Sequence, residues 1–210
     1  MLPADSPIRI LAVDDHPMLR DGLGAMIAAQ PDMQLIAEAG TGREAIDLYR
    51  LHRPDITLMD LRLPDMHGVD AITTIREIHP QARIIVLTTY LGDVQATRAF
   101  KAGAQGYLMK ATLRKELVEA IRAVHAGRRR LPTDVASEMA EHSSDDSLTA
   151  REIEVLQGVS AGNSNKIVAA KLKITEDTVK SHMRSILTKL SATDRTHAVM
   201  IALKRGFLNI

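Results

Sequence analysis

The sequence predicts an α/β domain built on parallel strands, followed by a smaller all-α domain. Three observations carry this expectation. Apolar strand-like runs alternate with segments of helical spacing over the first 127 residues. Those runs are apolar almost throughout, as strands covered on both faces must be. From Leu148 onward the apolar period is helical alone.

Taken in order, IRILAV (8–13) reads as the first strand, and Leu19, Leu23, Met26 and Ile27 form the inner stripe of the helix after it. MQLIAEA (33–39), ITLM (56–59), ARIIVLTT (82–89) and GYLM (106–109) supply four more strands. The last helix of this set carries Leu117, Ala120, Ile121 and Val124. Five strands alternating with five helices indicate a parallel sheet with both faces covered. Gly127 reads as a helix stop, so the first domain is expected at 1–127. RRRLPTDVASEMAEHSSDDS (128–147) is charged and rich in small residues and reads as a linker. Within it, the four-residue spacing of Leu131, Val135 and Met139 predicts one short helix. Residues 148–210 carry helix breaks at Gly162, at 173–175 and at 191–193, which predicts four helices. The first starts on a capping box, Thr149 with Glu152 three residues on.

Composition bounds the function. At 210 residues with 45% hydrophobic content the chain can bury a sizeable core. No window approaches the roughly 18 to 20 consecutive apolar residues of a membrane span. The opening MLPADSPIRILAVDD lacks a basic region followed by an apolar signal core, so a cytoplasmic protein without membrane partners is expected. The absence of cysteine excludes disulfides and thiolate metal sites and fits a reducing compartment. Residues 1–127 hold 14 Lys+Arg against 16 Asp+Glu, whereas 148–210 hold 10 against 5. A basic terminal domain suggests an acidic partner such as nucleic acid.

Ligands of open parallel sheets bind outside the carboxyl ends of the strands. Asp14 and Asp15 follow the first strand, Asp60 the third, Thr88 the core of the fourth and Lys110 the fifth. A single acid there would be read as a helix cap. Three carboxylates, a hydroxyl and an ammonium on one rim need another explanation. The acids repel one another, and a hard divalent cation with oxygen ligands, Mg2+, relieves that repulsion. Mg2+ beside Lys and Thr suits phosphoryl chemistry, with Asp60 as nucleophile forming an aspartyl phosphate. His16, next to Pro17, reads as a polar residue at a helix start rather than a relay histidine. A phosphohydrolase would usually place a second Asp two residues after the nucleophile, where Arg62 stands.

VDDHPMLRDGL, LMDLRLPDMHGVD, VLTTY and GYLMKA resemble the receiver domain of bacterial two-component response regulators, over residues 8 to about 127. The resemblance implies a flavodoxin-like, doubly wound five-stranded parallel sheet that accepts a phosphoryl group on Asp60 from a sensor histidine kinase. It also implies Mg2+ on Asp15, Asp60 and the backbone carbonyl of Arg62, with Asp14 acting through water. Lys110 would pair with the phosphoryl group, Thr88 would bond it and Tyr107 would be the switch aromatic, although an aromatic can equally just fill a strand position. One departure is Ala111, where many receivers carry proline.

In the terminal domain, Val179, Met183, Ile186, Leu187 and Leu190 make one apolar helix face, and Lys180, Ser181, Arg184 and Thr188 the other. Two cations at i and i+4 flanking a small polar residue suit a helix lying in a DNA major groove, and the helix and short turn before it suit a helix-turn-helix. Phe207 is the domain's single aromatic, which argues against single-strand binding. LTAREIEVL, NSNKIVAAKLKITEDTVKSHMRSILTKL and DRTHAVMIALKRG resemble the LuxR-type helix-turn-helix, and the whole chain resembles the NarL/FixJ class of response regulators. By that resemblance Lys180, Ser181 and Arg184 recognise promoter DNA, His182 and Lys189 lie nearer its backbone, and a terminal helix from about Thr196 to Arg205 forms a homodimer contact. RNA polymerase is a further candidate partner. Ile167 stands where the family has a glutamate that would complete a second capping box from Ser164. The expected function is thus a phosphorylation-controlled transcription regulator, not an enzyme beyond its own phosphorylation and slow dephosphorylation. The readings set against it are a Mg2+-dependent aspartyl-phosphate hydrolase with a scaffold domain and a constitutive DNA binder with an idle receiver.

Overall fold

The structure is a computed structural model of the 210-residue chain and describes residues 6–89, 93–131, 136–137 and 148–208. Val135 and Met139 of the expected linker helix, and Tyr90 of the VLTTY motif, lie outside the described residues. The chain divides into two compact units.

Up to His125 the order is β1 (Ile8–Val13), α1 (Pro17–Ala28), β2 (Met33–Ala39), α2 (Gly42–His52), β3 (Ile56–Asp60), α3 (Gly68–Ile78), β4 (Ile84–Thr88), α4 (Asp93–Ala102), β5 (Gly106–Met109) and α5 (Leu113–His125). The sheet order is β2-β1-β3-β4-β5 and every pairing is parallel. Every residue of β3 and β4 is buried, which is why these strands lack polar alternation. Ile10, Leu23, Ile27, Leu58, Leu87, Leu117, Ile121 and Val124 share one core, so the stripes expected for α1 and α5 do face the sheet. The strand order reverses between β1 and β3, and their carboxyl ends therefore open a crevice.

Two local details differ from the sequence pattern. β3 runs one residue beyond ITLM and takes Asp60 into the ladder, paired in register with Leu87. Residues 128–130, expected within the linker, begin by following the sheet edge: Arg130 N–H donates to the Gln105 carbonyl and Tyr107 N–H donates to the Arg130 carbonyl, each at 2.9 Å. The backbone groups of an edge strand need partners, and this segment supplies them.

The second unit holds α6 (Ala150–Ser160), α7 (Asn165–Leu172), α8 (Glu176–Lys189) and α9 (Arg195–Arg205). The three expected breaks fall where the backbone turns left-handed, at Gly162 (φ 79°), Lys173 (φ 55°) and Ser191 (φ 48°). Val155, Leu156, Val168, Val179, Ile186, Ala198 and Ala202 pack into one core. Thr149 and Glu152 form the expected capping box. Ser164 makes no side-chain cap, and Ile167 is 47% exposed in place of a capping glutamate.

Glu152 does more than cap. It is 4% exposed, accepts from Thr149 N–H (2.7 Å) and Thr149 Oγ1 (3.0 Å), and reaches α8 to accept from Ser185 Oγ (2.6 Å) and Lys189 Nζ (2.8 Å). Burial alone would raise its pKa; Lys189, Ser185 and Thr149 together bring it down to about 2. Because the folded value lies below the ordinary 4.5, the carboxylate contributes its full stability above that pH and loses it as pH falls through about 2. Glu152→Gln should therefore lower the unfolding free energy of this unit by about 1.5–3 kcal/mol at neutral pH, the range for hydrogen bonds to charged groups. The deficit should shrink towards pH 2, and calorimetry of wild type and variant across this range measures it.

Candidate functional site

The rim of the first unit is assembled from strand ends. β1 delivers Asp14 and Asp15, β3 ends on Asp60, β4 on Thr88, and β5 leads into a 3-10 turn, Lys110–Thr112, that also holds Ala111. Asp14 is fully buried, Asp60 is 3% exposed and Thr88 is 4% exposed. Lys110 Nζ lies 2.6 Å from Asp14 Oδ2 and donates to Asp60 Oδ2 at 2.8 Å. The first contact is a close ion pair without hydrogen-bond alignment, so Asp14 Oδ2 is a buried oxygen lacking a directed donor. Burial raises the Asp60 pKa above the usual carboxylate value, Lys110 opposes that, and Asp14 adds to it. Burial pulls Lys110 down, but the two carboxylates outweigh it and its pKa is raised.

Asp15 is more open and lies 2.7 Å from His16 Nδ1. His16 precedes α1 as its N-cap, yet its side chain makes no capping bond. The imidazole turns instead to the acids, with Nδ1 also 3.2 Å from Asp14 Oδ1. Arg62 N–H donates to Asp60 Oδ1 at a long 3.3 Å. Tyr107 is fully buried, with its ring 6.5 Å from that of Phe100. The rim thus gathers Asp14, Asp15, Asp60 and Lys110, with Thr88 at the end of the strand between those of Asp60 and Lys110.

Residues that sequence reasoning missed hold the rim in place. Asp65, in the loop after β3, accepts from the first two N–H groups of α2, Gly42 (2.8 Å) and Arg43 (3.0 Å). This is capping from a distant loop, favoured by the positive end of the helix. The Met66 side chain fills the space a Cβ on Gly42 would take, and a Cβ on Gly68 would collide with the Asp60 carbonyl. Arg20 Nη1 donates to the Asp14 carbonyl at 2.6 Å. Nothing local in the sequence pairs Asp65 with Gly42, 23 positions away.

A cation fits the donor set. Three carboxylates meet one ammonium at the rim, and Asp14, Asp15 and His16 bring their ligand atoms within 4.8 Å of one another. The unbalanced negative charge and the oxygen donors suit a hard divalent ion.

In the second unit, α7 and α8 are joined by a turn through Lys173, and Thr175 caps α8 by accepting from Thr178 N–H at 3.1 Å. Lys180, Ser181, Arg184 and Thr188 are exposed on α8, opposite Val179, Met183 and Ile186. His182 is half-buried beside them. Lys180 Nζ sits 3.2 Å from Asp177 and 3.5 Å from Glu176, both in the first turn. Lys189 is half-buried and bound to Glu152, away from the exposed face.

The family model described as the response regulator receiver domain matches residues 10–122, and that described as bacterial regulatory proteins, luxR family, matches 146–202. The chain is 37% identical to an uncharacterized transcriptional regulatory protein, YxjL of Bacillus subtilis, over 212 residues that cover 96% of this chain and 97% of the relative. It is 35% identical to the response regulator protein VraR of Staphylococcus aureus over 206 residues, covering 96% and 99%. Among solved structures, a two-component response regulator of the LuxR family from an Aurantimonas species is 44% identical with a TM-score of 0.63, covering 67% of this chain and all (100%) of that one. The response regulator ChrA of a heme-sensing two-component system is 34% identical over 97% of this chain and 100% of its own, with a TM-score of 0.56.

Asp65 offers a direct test of how the rim is held. In Asp65→Ala the amides of Gly42 and Arg43 should lose their acceptors, and their hydrogen exchange should quicken by roughly tenfold or more while that of β3 stays slow. Exchange followed residue by residue in the full chain reads this out. Unchanged protection at both amides would mean that the loop is held by Met66 alone.

Proposed function

Because the chain belongs to the response regulators that join a receiver domain to a LuxR-family DNA-binding domain, we propose that phosphorylation of Asp60 controls how it binds promoter DNA. In this reading the receiver spans 1–127, the connection 128–147 and the DNA-binding domain 148–210. The observation that carries it is the Lys110 ammonium held between Asp14 and Asp60 at the sheet switch point.

The geometry divides the labour between the two oxygens of Asp60. Oδ2 is held by Lys110, whereas Oδ1 has only the long contact from Arg62 N–H. Oδ1 is thus the oxygen that attacks phosphorus. The bond from phosphorus to the imidazole nitrogen of a histidine kinase breaks, an Asp60–phosphorus bond forms, and the leaving ring takes up a proton. Burial, which makes this carboxylate more basic than an ordinary one, also makes it the better nucleophile. Lys110 and the Thr88 hydroxyl stabilise the transferred oxygens. Mg2+, when bound by Asp15, Asp60 and the Arg62 carbonyl with Asp14 acting through water, supplies positive charge that offsets the repulsion between the acids and the incoming phosphoryl group. The product adds roughly one unit of negative charge at the strand end next to that of Thr88, and that charge biases a two-state surface of the receiver with Tyr107 as its switch aromatic.

In the DNA-binding domain, the exposed Lys180, Ser181 and Arg184 enter the major groove while His182 serves nearer the phosphates; Lys189, expected there too, is bound to Glu152 and braces α8 instead. Binding requires Lys180 to exchange Asp177 and Glu176 for DNA. Dimerisation through α9 is supported by Met200, an apolar side chain that is 62% exposed. RNA polymerase is a partner at the promoter in the same reading.

Two measurements test the scheme. Asp60→Asn keeps the shape but removes the nucleophile, so incubation with acetyl phosphate and Mg2+ should label wild type and leave the variant unlabelled and folded. Labelling of the variant at the same stoichiometry would place the acceptor elsewhere. Lys180→Ala should weaken binding to the preferred site by roughly ten- to hundredfold and relax preference at one base pair. An even loss over all sites, with the salt slope reduced by about one, would reassign Lys180 to a phosphate contact.

A further inference from the structure

We propose that residues 128–130 are the output connection of the receiver: their backbone bonds to β5 carry a change at Asp60 into the segment that leads on to the DNA-binding domain. The proposal rests on the reading of Asp60 as phosphoacceptor and adds the route by which that event leaves the sheet.

The attachment begins where α5 ends. Gly127 is left-handed (φ 79°), its N–H donates to the Val124 carbonyl at 3.0 Å, and Arg128 N–H donates to the Ala123 carbonyl at 2.9 Å. This pair of bonds closes the helix and turns the chain. Residues 128–130 are thereby sent along the sheet border, where Arg130 pairs in parallel with Gly106 through its bonds to Gln105 and Tyr107. A Cβ on Gly106 would stand 2.9 Å from Ile85 Cγ1 and 3.2 Å from Val124 Cγ2, so the bare backbone lets β4 and the last turn of α5 close on β5. Arg130 Nη1 also donates to Glu119 of α5 at 3.2 Å. That pair is largely exposed and adds little; the backbone makes the attachment.

Tyr107, whose N–H donates to this segment, and Lys110, whose ammonium holds Asp60, are three residues apart on β5 and its exit. At strand spacing that is about 10 Å. Lys110 is shared between Asp14 and Asp60, and a phosphoryl group on Asp60 draws the ammonium towards the added charge. The pull falls on a strand of four residues at the border of the sheet. β4 holds that strand through four residue pairs, whereas residues 128–130 hold it through two hydrogen bonds. The smaller ladder yields first, and phosphorylation loosens the connection.

Amide exchange followed by NMR in the full chain, with Mg2+ and with or without beryllofluoride as a stand-in for the phosphoryl group, tests this. On loading, the Tyr107 and Arg130 amides should exchange roughly tenfold or more faster, and in Asp60→Asn neither should change. Arg130→Pro deletes one of the two donors, so its Tyr107 amide should be fast without loading. Its affinity for the preferred DNA site should then differ by less than about twofold with and without acetyl phosphate, while Arg130→Ala, which keeps the backbone bonds, should respond as wild type does. Resonances of Thr88 and Lys110 that shift on loading, with both amides unchanged in exchange, would overturn the output route. So would a full phosphorylation response in Arg130→Pro once its Tyr107 amide is shown to be fast. Absence of any shift at Thr88 and Lys110 in wild type would instead overturn the phosphoacceptor reading on which the route depends.

Discussion

Burying a carboxylate in a protein interior is costly unless a charge of opposite sign comes with it, and the first domain buries two. Lys110 resolves that conflict. Its ammonium touches Asp14 from β1 and Asp60 from β3, and it arrives from beyond β5, on the far side of β4. Reaching across requires the intervening strand to end on something small, and Thr88 stands there. Three strand ends are thereby tied by one cation. Removing Lys110 would leave two buried carboxylates uncompensated, at a cost of about 3–5 kcal/mol. The site and the stability of the sheet's open end are the same set of contacts.

Such an arrangement responds to any change in charge at Asp60. An ammonium shared between two acids is bound by both, so altering one redistributes its attraction to the other. Around this centre the backbone is held closely. Arg20 grips the Asp14 carbonyl, Asp65 grips the start of α2, and Gly68 brings α3 against the Asp60 carbonyl. A closely packed frame around a shared ammonium absorbs a change in that charge poorly, because packed surroundings do not deform gradually.

Much of this was legible in the chain of residues. The bounds of β1, β2 and β5, the turns at Gly162, Lys173 and Ser191 and the capping box at Thr149 follow from signals within a few positions of each residue. The rim was legible as well, since strand ends converge once the sheet is parallel. Other features were not. Asp65 meets Gly42 across 23 positions and Glu152 meets Ser185 across 33, and no local period encodes either pairing. The sheet edge followed by residues 128–130 was hidden because a charged, basic run reads as solvated chain when its backbone partners are unknown. His16 read as a helix-start residue, which it is, but only coordinates reveal that its ring turns away from the helix and towards the acids.

The two domains show how one functional group acquires opposite roles. Glu152 and Asp60 are both almost fully buried carboxylates. Glu152 accepts from Thr149, Ser185 and Lys189, so its charge is saturated and its pKa falls to about 2. A carboxylate so well satisfied is a poor nucleophile and a good tie between α6 and α8. Asp60 has one short bond, from Lys110, and a long one to its other oxygen, while burial and the nearby Asp14 push its pKa up. Its charge is poorly satisfied. Burial alone does not set how well a carboxylate is satisfied; the number of donors aimed at it does, and that number is set by whether a helix face or an open strand end surrounds it.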